Sequence, residues 1–108
     1  MTEYTKEQIR ERTIKFIAGA QDMLDAYAKD QGLHCKETLT MDTGSKNIRI
    51  VKELHGGRSA WAFVNLNTGD ILKPASWKVP AKHARGSVLE DDYGVSKVGP
   101  YGPAYLRG

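Results

Sequence analysis

Between Lys73 and Arg85 the chain carries four fixed positive charges, Lys73, Lys78, Lys82 and Arg85, with Ser76, Trp77 and His83 among them and no acid. Cations set around an aromatic ring suit an anionic, planar partner. A lysine or arginine can neutralise a phosphate, and an indole can stack on a base for about 1–3 kcal/mol. Lys73, Ser76, Trp77, Lys78, Lys82, His83 and Arg85 are therefore the candidate ligand-binding residues, and a nucleotide or nucleic acid is the expected partner. The same residues also have a structural reading. Trp77 offers apolar area that a small domain can bury, Pro74 and Pro80 shape the path, and the lysines solvate it. Stacking and packing both stay open for Trp77.

Catalytic chemistry has fewer ingredients. His34, His55 and His83 could pair with Asp42, Asp70 or the acids at 90–92, but none falls in a His-Glu-x-x-His or comparable metal-ligand spacing. His83, inside the basic stretch, is the candidate general acid or base. His55-Gly-Gly lacks the Gly-x-x-x-x-Gly-Lys pattern of a phosphate loop. Cys35, the single cysteine, excludes an internal disulfide and falls on the apolar side of an expected strand, where an inert thiol is usual. No metal, cofactor or established enzyme chemistry is expected. A second basic group, Arg10, Arg12 and Lys15, sits beside Glu7 and Glu11 at helical spacing and reads as ion pairs on a solvated face.

The scaffold that must hold the basic stretch is small. At 108 residues one core is expected, so residues 1–108 form one domain. The net charge of +3 is unevenly spread. Residues 1–32 hold five Lys/Arg against six Asp/Glu, while residues 33–108 hold eleven against seven. No apolar run approaches the roughly 18–20 residues of a membrane span, and charge begins at Glu3, unlike a secretory signal. A membrane partner is not expected, and the cytoplasm is the expected location.

Thr5-Lys-Glu-Gln8 has the form of a capping box. Ile9, Phe16, Ile17, Ala20, Leu24, Tyr27 and Ala28 then recur at helical spacing, and Gly32 is a plausible stop, predicting one amphipathic helix over 5–31. Gly19 within it marks a kink or a close approach to the sheet. From Leu33 the period becomes alternating. Leu39 and Met41 share one side with Leu33 and Cys35; Ile48, Ile50 and Leu54 share another; Trp61 and Phe63 are expected opposite Ala62, Val64 and Leu66. Turns at 42–45, 55–58 and 67–70 join these runs and lead to Ile71–Lys73. The expected fold class is α+β: a long N-terminal helix packed on a four-stranded antiparallel meander over 33–73. Residues 74–86 are expected as an ordered basic loop, because two prolines keep them from being a helix or a central strand. Residues 87–108 are expected as an irregular tail anchored by Tyr93, Tyr101, Tyr105 and Leu106.

Gly69-Asp-Ile-Leu-Lys-Pro-Ala-Ser-Trp-Lys-Val-Pro-Ala-Lys-His-Ala-Arg-Gly86, preceded by Ala62-Phe63-Val64 and followed by Gly99-Pro-Tyr-Gly-Pro103, resembles a group of small uncharacterised proteins of tailed bacteriophages. The resemblance covers residues 45–108 and implies an origin, in the cytoplasm of an infected bacterial host, with no residue roles. Phage proteins of this size commonly bind host machinery, manage nucleic acid or neutralise host defence. The expected function is thus a small phage-encoded protein that binds a nucleotide, such as a host defence signal, or nucleic acid. The alternative is a protein–protein interaction module that inhibits a host enzyme, and a weaker one is a small phosphodiesterase or nuclease using His83. The sequence is compatible with a monomer or a homo-oligomer.

Overall fold

The computed structural model describes residues 4–32, 37–54, 56–99 and 102–103. His34, Cys35, His55, Tyr101, Tyr105 and Leu106, and the expectations attached to them, lie outside the described residues. Helix α1 spans Lys6–Asp30. Its start is the capping box: the Gln8 amide donates to Thr5 Oγ1 at 3.1 Å, and the Thr5 amide donates to Gln8 Oε1 at 2.8 Å. The helix ends at Gln31, and Gly32 follows with φ +67°, the left-handed conformation that glycine adopts at least cost.

Five antiparallel strands follow in meander order: β1 (Thr38–Thr43), β2 (Asn47–Leu54), β3 (Gly57–Asn65), β4 (Asp70–Pro74) and β5 (Pro80–Ser87). The fold is α+β as expected, with five strands in place of four. The fifth lies where a basic loop was expected. Pro74 and Pro80 do not prevent it, because they sit opposite each other at the closing end of the β4–β5 hairpin, and β5 is an edge strand. Proline's missing N–H costs little at those positions.

One face of the sheet receives α1. Ile9, Phe16, Ala20 and Leu24 from the helix meet Leu39, Ile48, Ile50, Trp61, Ala62, Val64 and Ile71 in one buried cluster. Trp61 was expected beside Phe63. It lies instead with Ala62 and Val64, because a β-bulge opposes Ile50 to Ala62 and Val51 to Ala60, which leaves Trp61 as the extra residue and shifts its parity. Leu54, beyond the bulge, is exposed. Thr13 is fully buried within the helical stripe, its hydroxyl donating to the Ile9 carbonyl at 2.7 Å.

Polar side chains of α1 fasten both ends of the domain. The Gln21 amide donates to the Glu37 carbonyl at 2.8 Å and accepts from the Leu39 amide at 2.8 Å, so a side chain stands in for a neighbouring strand at the beginning of β1. Arg12 Nε donates to the Val88 carbonyl at 2.6 Å and its Nη2 to the Glu90 carbonyl at 2.9 Å, with the guanidinium 4.6 Å from the Tyr93 ring. Arg12 is therefore structural, and Tyr93 anchors the tail as expected. The tail is more regular than expected. A 3-10 turn at Val95–Lys97 leads to β6 (Val98–Gly99), which pairs with β7 (Gly102–Pro103). Asp92 sets the turn by accepting from the amides of Gly94 and Ser96, both at 3.0 Å, and the bonds from Ser96 and then Gly94 hold its carboxyl below the usual range. Gly19 marks a close approach to this tail: a methyl there would stand 2.6 Å from Val95 Cγ2.

Candidate functional site

Among the described residues no helix covers the face of the sheet opposite α1. One row crosses all five strands in register: Asp42, Arg49, Phe63, Leu72 and Ala84. Phe63 and Leu72, with Val51 in the next row, are nonetheless buried. The turn of the β4–β5 hairpin reaches over this face: its Trp77 carbonyl meets Arg49 of β2, and residues 74–77 stand across a cleft from Arg58 to Ala60 of β3. The turn is held by its own bonds, from the amides of Ala75 and Ser76 to the Val79 carbonyl and from the Val79 amide to Ser76 Oγ at 3.2 Å. Ser76 is thus committed to shaping the turn.

Trp77 lies where this turn meets the sheet. The Arg49 guanidinium stands 4.2 Å from the centre of its ring and that of Arg58 5.6 Å, while Arg49 Nη1 donates to the Trp77 carbonyl at 3.3 Å. Asp42 accepts from both arginines, at 3.1 Å from Arg49 and 3.5 Å from Arg58, and Glu53 holds Arg58 at 3.0 Å. Asp42 and Arg49 are cross-strand partners, as are Glu53 and Arg58, so the strand register itself assembles the platform beneath the indole. Arg49 Nε is buried without a hydrogen-bond partner. The ring and Asp42 thus do much of the work of holding the guanidinium. Trp77 keeps 36% of its surface exposed. It pins the hairpin and still offers area to a ligand.

Two clefts flank this tryptophan ridge. The first, of about 310 Å³, lies between the β1–β2 turn (Thr43 to Asn47) and Lys78, with Phe63 and Arg49 in its wall. The second, about 400 Å³ and more open, lies between Trp77, Ser76 and Pro74 on one side and Arg58 to Ala60 on the other. The seven candidate residues do not converge on one pocket. Lys78 belongs to the first cleft and Ser76 and Trp77 to the second, Lys73 is half-buried in β4, and Lys82, His83 and Arg85 lie along edge strand β5, the first two exposed. No hydrogen bond or ion pair among the described residues joins His83 to a carboxylate. Nor do three or more His, Cys, Asp or Glu residues gather there in a way that could hold a metal ion. Arg49, Arg58 and Lys46 were not singled out from sequence, and Asp42 was named only as a possible carboxylate partner for a histidine. The sequence placed Asp42 inside a turn at 42–45; the structure closes the hairpin at 44–47, with the Gly44 amide donating to the Asn47 carbonyl, and so sets Asp42 opposite Arg49.

Fold and site define a small α+β domain, one helix on a five-stranded meander whose open face is capped by a basic, tryptophan-bearing hairpin. The family described as "Family of unknown function (DUF7717)" matches residues 1–98, and the chain belongs to it. The match takes in α1 as well as the sheet and hairpin. No curated protein and no solved structure matches the chain. Among the described residues no helix is long and apolar enough to cross a membrane.

Proposed function

We propose that the protein is a phage-encoded binder of single-stranded nucleic acid, working in the host cytoplasm through the hairpin-capped face of its sheet. The observation that carries this reading is the hairpin turn itself. It lays a partly exposed indole and Lys78, which makes no ion pair among the described residues, between two clefts, with further cations spread along β5. Cations distributed along a ridge suit a polymer; a single nucleotide held by base-specific contacts would call for convergence in one enclosed pocket. The likeness of residues 45–108 to small phage proteins supports the setting.

Fluorescence anisotropy with a labelled oligothymidylate tests it. If Lys73, Lys78, Lys82 and Arg85 each neutralise one phosphate, the logarithm of affinity falls against the logarithm of salt with a slope of about −3, and replacing Lys78 and Lys82 by Gln flattens it by roughly 1.4. Failure of every oligonucleotide to bind at low salt would sink the reading. Trp77→Ala should weaken binding by about 1–3 kcal/mol and lower stability by roughly 0.5–2 kcal/mol through the lost arginine contacts. Trp77→Phe should restore part of both. A Trp77→Ala protein that binds as tightly as the parent would show that the indole only pins the hairpin.

A second reading rests on β5. Its outer edge has no neighbouring strand among the described residues, and it carries exposed Lys82 and His83, a template for an extended acidic segment of a host protein. Slowed hydrogen exchange at the β5 amides on adding an acidic peptide, with no nucleic-acid binding, is the outcome that favours it.

A further inference from the structure

We infer that the cleft between the β1–β2 turn and the hairpin tip is a phosphate-binding site, in which Lys46 and Lys78 grip one phosphate group from opposite walls. The inference rests on the nucleic-acid reading and locates where the backbone of the strand is anchored. It draws on residues far from the basic stretch in sequence.

The chemistry follows from the lining. Three cations, Lys46, Arg49 and Lys78, face one carboxylate, Asp42. That carboxylate is already shared by Arg49 and Arg58, which leaves the charge of the two lysines uncompensated. Both are exposed, and neither forms an ion pair among the described residues. The remaining lining is suited to an oxyanion: the hydroxyls of Thr43 and Ser45 and the amide of Asn47 can donate to phosphate oxygens. The lysines come from two separate hairpins. Their meeting depends on the arch of the 75–79 turn over the sheet, which Arg49 fixes by bonding the Trp77 carbonyl and lying against its ring. Arg49, in the wall of this cleft, lies 4.2 Å from the centre of the Trp77 ring, so the indole stands within reach of the sugar and base adjoining a phosphate held there. The β1–β2 turn is tightly built, with the Gly44 amide donating to the Asn47 carbonyl at 2.9 Å and the Leu66 amide to the Lys46 carbonyl at 2.9 Å. Its side of the cleft is preformed.

The phosphate could come from a nucleic-acid strand or from a free phosphorylated compound, and the arms of the test separate them. Inorganic pyrophosphate is titrated into isotope-labelled protein while the amide resonances are followed, with thymidine monophosphate and oligothymidylate as parallel ligands. The expected result is a saturable shift centred on Gly44 to Asn47 and Lys78. Lys46→Gln and Lys78→Gln should each weaken it by about 2- to 5-fold, and Lys15→Gln, at an exposed position of α1, should leave it unchanged. With oligothymidylate, Lys46→Gln should flatten the salt slope by about 0.7. Shifts spread over all surface lysines, or weakened equally by Lys15→Gln, would overturn the inference. Oligonucleotide binding that ignores Lys46→Gln would also overturn it while leaving the nucleic-acid reading intact. Pyrophosphate seated as described with no oligonucleotide binding would uphold the cleft, remove the nucleic-acid reading and identify a free phosphorylated compound as the ligand.

Discussion

Phe16→Ala should cost roughly 3–5 kcal/mol of stability, the range for emptying a fully buried phenylalanine site. Phe16 has 0% of its surface exposed and its ring centre lies 6.2 Å from that of Trp61, so truncation removes apolar area from the middle of the helix–sheet contact. Neighbours cannot easily close the gap. Trp61 is held by the bulge and Ile50 by the centre of the sheet, so collapse around the cavity is resisted. Small domains commonly have only about 5–15 kcal/mol of stability in total, and the substitution should therefore lower the urea midpoint sharply at unchanged slope. Phe16→Leu should recover much of the loss. A Phe16→Ala protein within 1 kcal/mol of the parent would mean that the helix does not depend on the sheet.

Gly94→Ala is the second large effect. Gly94 is buried with φ +85°, and it follows Tyr93, whose φ of 59° is also in the left-handed region. A methyl group at 94 would stand 2.7 Å from the Ser87 carbonyl oxygen and against the end of Ile71. The carbonyl belongs to the backbone and cannot swing away as a lysine end could. Left-handed geometry costs a side-chain-bearing residue about 1–2 kcal/mol and overpacking typically about 1–3 kcal/mol more. The melting temperature should fall by something on the order of 10 °C or more. A change of less than 0.5 kcal/mol, the size of an ordinary surface substitution, would show that the segment after β5 does not press on the sheet as described.

The helix was legible because two independent signals agreed, an apolar stripe at helical spacing and Thr5-x-x-Gln8 at its head. Strands β1 to β4 were legible from alternation between glycine-containing turns. β5 was not, because an edge strand with irregular pairing buries little and shows no alternation, and its prolines read locally as strand breakers. The face of Trp61 was misjudged for a related reason: one bulge residue reverses the parity of everything before it, and nothing in Ser59 to Leu66 announces where it falls. Lys78 and Trp77 stood out as part of a charged run. Arg49 and Arg58 did not, since a cation on the solvent side of a strand looks the same whether it faces water or an arching hairpin, and Lys46 did not, since a single lysine in a turn reads as solvated.

The bonds from Arg12 to the carbonyls of Val88 and Glu90 join positions 76 and 78 residues apart. Chain growth at about 5–20 residues per second separates the emergence of those partners by roughly 4–15 s. Through the early part of that interval α1 lacks its sheet, and through all of it the tail, so its apolar stripe of Ile9, Phe16, Ala20 and Leu24 stays incompletely covered. Helix α1 is among the last parts of the domain to be sealed. Translation rate thus bears on the yield of this domain more than on that of a small protein whose contacts are local.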